Sequence, residues 1–156
     1  MARLETDDIA LEISNIITFT TEGGLPVAES FTFKFDFNGK KLFNNVTRTK
    51  FELFHGNIDA LLNLMSDILD GQIQKGARQF DEPEFEFELE CIRPAIPFCD
   101  QLMYQFTVWV LSGQWQPMHS SSGVGCKFLL YHNELASFFN DLYEEYQVRR
   151  IVVYNE

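Results

Sequence analysis

Six carboxylates fall within ten residues in the run Asp81-Glu82-Pro83-Glu84-Phe85-Glu86-Phe87-Glu88-Leu89-Glu90, with no basic residue among them. As a strand, this run puts Glu84, Glu86, Glu88 and Glu90 on one face, with same-face neighbours about 7 Å apart. Phe85, Phe87, Leu89 and Cys91 then line the other face. A carboxylate row of this kind cannot be buried unpaired. It can be a solvated outer face, or one neutralised by Lys34, Lys40, Lys41 or Arg48 on a neighbouring strand. It can also be an anionic surface that engages a basic protein. A hard-cation site is the third option, but a linear ladder lacks the convergent loop geometry of calcium sites. No metal and no cofactor is expected.

Catalytic templates are missing. The chain has no Gly-x-Ser-x-Gly elbow, no phosphate-binding glycine loop and no His-Glu-x-x-His. His119 and Ser120 lie near Cys126 and Asp100 in sequence, but such proximity says little about a nucleophile and its base. Any acidic chain supplies carboxylate pairs for a glycosidase, and nothing here selects one. The expectation is a protein that is not an enzyme. Trp109, Trp115, Phe98, Met103, Tyr104 and Met118 cluster around one loop-flanked strand. Most read as core. Trp115 and Met118, in the loop 114–119, are core like the others or, alternatively, exposed anchors for a partner.

Composition narrows the partner. Twelve basic against 23 acidic residues give a formal charge of −11 in 156 residues. Phosphate contacts need Lys and Arg, so nucleic acid and anionic membrane surfaces are disfavoured. A cationic protein partner is favoured. The start of the chain is acidic and lacks an apolar core segment, and no apolar stretch approaches membrane-spanning length. Cys91, Cys99 and Cys126 lack metal-like spacing and read as reduced thiols, which suits a cytoplasmic protein. The sequence carries no signal for an oligomeric state.

The elements that must position these residues follow from periodicity. A hydrophobic content of 46% with 16 Phe allows a sheet-rich core in a chain sized for a single domain, 1–156. Strands are expected from Ile9 to Thr20, over Phe31–Phe37 and from about Leu42 to Phe54, with Asn38-Gly39 as a two-residue hairpin. Further strands are expected at the acidic run, at Leu102–Leu111 (buried on both faces), at Lys127–Tyr131 and at Val148–Tyr154. Apolar residues at helical spacing predict amphipathic helices over about 57–70 and 133–147, with Gly71 as a terminator. Gln72–Gln79 reads as a polar loop. The fold class is therefore α+β, mainly antiparallel sheet with two amphipathic helices packed on it.

The sequence also echoes itself. An offset of 77 takes Lys50 to Lys127, Phe51 to Phe128, His55 to His132 and Leu61 to Phe138 without a gap. Pseudo-repeat halves of about 1–75 and 80–156, each made of strands followed by a helix, fit that register. Both histidines precede their helices and should hydrogen-bond locally.

Two blocks, Phe51–Gln72 with the following Phe80–Phe87, and Gly125–Tyr146, resemble the WapI-type bacterial immunity proteins. They cover less than half of the chain. The resemblance implies a cytosolic antitoxin that binds and blocks a toxin, often a nuclease domain. Asp81, Glu82, Glu84, Glu86, Glu88, Glu90 and Trp115 are then the expected partner-binding residues. The competing reading is a small-ligand-binding or hydrolytic α+β domain with a pocket between sheet and helices.

Overall fold

A computed structural model describes residues 1–50, 56–80, 85–93, 102–111 and 123–154. Two antiparallel meanders dominate it. The first comprises β1 (Ala2–Glu5), β2 (Ile9–Thr20), β3 (Pro26–Phe37) and β4 (Lys40–Lys50), paired in chain order. The second comprises β5 (Lys75–Phe80), β6 (Phe85–Ile92), β7 (Met103–Leu111) and β8 (Gly123–Tyr131), again in chain order. Helix α1 (Asn57–Leu69) follows the first meander, and α2 (His132–Gln147) follows the second. Strand β9 (Arg150–Val153) pairs in parallel with β2. The expected α+β class and antiparallel sheet are observed.

Chain order and compactness divide the molecule differently. One compact unit is Met1–Asp59 with Phe138–Glu156, and the other is Ala60–Ser137. Most of α2 thus belongs with the first sheet, and most of α1 with the second. Within the first unit, Glu145 of α2 accepts the Asn15 amide at 3.0 Å and pairs with the N-terminal ammonium. Within the second, α1 rests against Gly76 of β5, where an added Cβ would lie 2.5 Å from Leu64 Cδ1.

Period-two alternation explains each core face. In the first sheet, Ala2, Ile13 and Phe33 form one cross-strand row, and Leu4, Leu11 and Phe35 the next, all buried. Asn38 and Gly39 take φ of 48° and 72°, so the hairpin is a tight turn with both central residues left-handed. Phe37, the last residue before that turn, is left exposed. In the second sheet, Phe80, Phe87, Phe106 and Phe128 stack across four strands, with centroid separations of 4.9, 6.0 and 6.2 Å. Burying each such ring contributes about 1.5–3 kcal/mol. Gly71, at φ 73°, ends α1, and the Gln72 amide reaches back to the Asp67 carbonyl at 2.8 Å.

Three expectations need correction, and one strand carries no signal in the sequence. The segment read as a polar loop contains β5, an edge strand whose alternating exposure lacks the apolar content that marks a strand. Ala2–Glu5 is a strand because β2 offers it a paired edge, although its own sequence is short and acidic-flanked. The last strand is Arg150–Val153, shorter than Val148–Tyr154, since α2 and its closing turn occupy the residues before it. Strand β7 is not buried throughout on both faces, because Trp109 on its outer face is 37% exposed, although Thr107 on that face is buried.

Candidate protein-interaction face

The register of the second sheet fixes which side chains share its outer face. Gln79, Glu86, Trp109 and Gly125 form one cross-strand row. Ala77, Glu88, Thr107 and Lys127 form the next, and Lys75, Glu90, Gln105 and Leu129 the third. Met103 and Tyr131 close the face beside α2. Phe85, Phe87 and Leu89 are fully buried on the opposite face, so the carboxylates of β6 must point outward.

The sequence-derived site residues divide accordingly. Glu86, Glu88 and Glu90 come together as expected, on one face of β6. Asp81, Glu82, Glu84 and Trp115 lie outside the described residues, as do His55, Cys99, Asp100, His119 and Ser120. The expected neutralising partners are not there. The neighbours of β6 are β5 and β7, whereas Lys34 is on β3 and Lys40, Lys41 and Arg48 are on β4. Lys34 pairs instead with Glu12 at 3.0 Å. Glu90 takes Lys75 of β5 at 3.7 Å, across the register that makes them opposite residues.

Glu86 and Glu88 are left to each other. Among the described residues, neither has a Lys or Arg within ion-pair distance. Partial burial raises the Glu86 pKa above the ordinary carboxylate range, and a hydrogen bond with Glu88 and its like charge raise it further. Glu86 therefore takes up a proton more readily than a free carboxylate would.

Beside them stands an aromatic that sequence reasoning placed in the core. Trp109 is the direct cross-strand neighbour of Glu86, and its ring occupies the space a side chain at Gly125 would need. A Cβ on Gly125 would fall inside the indole. One face of the ring is thus spent on covering a glycine, and the side chain remains partly open to solvent. Leu129 and Tyr131 are also exposed, at 55% and 44%. A signal for this was present in the sequence. Trp109 shares parity with Gln105 and Thr107, the polar positions of its strand, and not with Phe106 and Val108.

No known protein family, curated protein or solved structure matches this chain. The site therefore has to be read from its own chemistry. At the end of the same face an open hollow of about 380 Å³ is lined by Leu102, Tyr131, His132 and Asn133. His132 Nδ1 lies 2.9 Å from the Tyr104 hydroxyl of β7, a contact between α2 and a strand and not the local hydrogen bond expected of a junction histidine. Burial and the neighbouring Cys91 raise the Tyr104 pKa. The described residues contain no cluster of three metal-ligating groups, and no described helix is long and apolar enough to cross a membrane.

Proposed function

We propose that this chain is a non-enzymatic, cytoplasmic immunity protein that binds and blocks a basic toxin domain, such as a nuclease. The observation that carries the reading is an outer sheet surface where Glu86 and Glu88 lack a cation among the described residues, exposed Trp109 stands opposite Glu86, and exposed Leu129 and Tyr131 lie farther along the same face. A charge of −11 speeds encounter with a basic surface. Exposed carboxylate pairs each contribute only about 0–1 kcal/mol, so lasting affinity must come from aromatic anchors. Trp109 is such an anchor in the described part of the face, and Trp115 is the sequence-based one. Asp81, Glu82 and Glu84 extend the acidic row in sequence.

The test is co-expression with the polypeptide encoded beside its gene. That polypeptide should arrest growth when expressed alone and should be harmless with this protein present. The two purified chains should form a stable complex. Arrest that persists despite co-expression, or no arrest at all, overturns the reading.

A further inference from the structure

The outer face of the second sheet has a shape and charge that single out one kind of side chain. Trp109 offers a partly exposed indole whose ring lies against Gly125, in the space a side chain there would fill. In the adjacent strand Glu86 is directly opposite Trp109, and Glu88 is one same-face step along. Their carboxyls lack a described cation, while the next acid in the row, Glu90, already has Lys75. Lys127 sits in the second row, opposite Thr107, and leaves the Trp109 row without a cation of its own.

A guanidinium fits this arrangement better than an ammonium. It is planar and stacks on an indole while its edge donates several N–H groups in a fixed fork. An ammonium is a compact, strongly hydrated point charge that gains less from a flat ring. A calcium ion would want six to eight convergent oxygens, and a row of side chains on a pleated strand does not converge. We propose that this face docks an arginine of the partner, stacked on Trp109 with its guanidinium turned to Glu86 and Glu88. The inference rests on the interaction reading above for the existence of a partner, and adds what that partner must present. The face should prefer arginine-bearing segments to equally charged lysine-bearing ones.

The experiment needs no toxin. The intact protein is titrated with an acetylated Arg-Gly-Arg-Gly-Arg amide and, separately, with its Lys counterpart at matched ionic strength. Amide and indole N–H resonances are followed, with Trp115→Phe used to assign the Trp109 indole. The arginine peptide should shift Trp109, Glu86 and Glu88 and bind roughly three-fold or more tighter than the lysine peptide. Trp109→Leu should abolish that preference. Because this change uncovers Gly125, the double variant Glu86→Gln with Glu88→Gln provides a second reading, and it should weaken arginine-peptide binding several-fold. Equal affinity for both peptides, shifts confined to other surfaces, or displacement of the peptide by calcium chloride at the same ionic strength would each overturn the proposal. Arginine binding without protection in the co-expression test would keep this inference and remove the immunity reading. Protection without an arginine preference would do the reverse.

Discussion

The two sheets share a plan and treat Glu12 and the pair Glu86 and Glu88 in opposite ways. In the first, Glu12 is nearly buried and is answered by Lys34 at 3.0 Å and Arg3 at 3.6 Å, with Ser14 donating to it at 3.3 Å. Glu145 is used twice, on the Asn15 amide and on the chain's own ammonium. Even Glu29, fully buried on the core face with Phe31, Phe33 and Phe35, receives the Ile58 amide of α1 at 3.0 Å. In the second sheet, Glu86 and Glu88 have no Lys or Arg partner among the described residues. Glu12 and Glu145, which serve the fold, are paired within it. A neighbouring pair left without cations, next to an exposed indole, is the arrangement expected of a surface that receives its cations from a partner.

Glu29 gives the largest test of that contrast. Burial pushes its pKa up from 4.5 to about 7, although the Ile58 and Asn57 amides favour the charged form. Asp59 adds to the rise and Arg149 opposes it, and one carboxylate oxygen has no hydrogen-bond partner. The folded state therefore keeps this proton to higher pH than the unfolded chain does. Its contribution to stability is full below about pH 4.5 and is lost as pH rises through about 7. Denaturant unfolding at pH 5 and pH 8 should differ by roughly 2–3 kcal/mol more in the wild type than in Glu29→Gln, with the wild type weaker at the higher pH. Identical pH slopes would show that Glu29 is not a strained structural acid.

Gly125→Ala comes next in size. A Cβ there must displace the Trp109 ring, and the loss should be about 1–3 kcal/mol in thermal or chemical unfolding, with a red-shifted and more quenchable indole emission. No change would mean that the indole is not seated on the glycine. Smaller again is a matched pair of substitutions. Lys34→Gln leaves the nearly buried Glu12 with Arg3 alone and should cost about 1–2 kcal/mol. Glu86→Gln removes a like-charge contact at a partly exposed site and should change stability by less than about 0.5 kcal/mol, in the favourable direction. If Glu86→Gln destabilises as much as Lys34→Gln, the outer acids are structural after all.

What was legible in the sequence was what short-range periodicity encodes. The Phe-Glu alternation of β6, the Asn38-Gly39 turn and the Gly71 stop all stand where spacing and turn chemistry put them. Partners across strands were not legible, because Lys75 and Glu90 meet only through a β5–β6 pairing that a polar edge strand does not announce. The parallel seat of β9 beside β2 joins residues more than a hundred positions apart and leaves no local trace. One misread residue did leave one: Trp109 shares parity with the polar positions of β7. Its chemical type suggested the core, and the face of the pleat prevailed. Glu29, likewise, shares parity with the core Phe side chains of β3.

The central claim is that Glu86 and Glu88 are held for a partner and not for the fold. Its most direct test is the association rate with the proposed toxin partner, measured across a salt series, for the wild type and for Glu86→Lys with Glu88→Lys. The reversal should slow association by roughly ten-fold or more at low salt and flatten the salt dependence, with the unfolding transition unmoved. An unchanged rate and an unchanged salt slope would contradict the claim and leave the acidic row a solvated outer face.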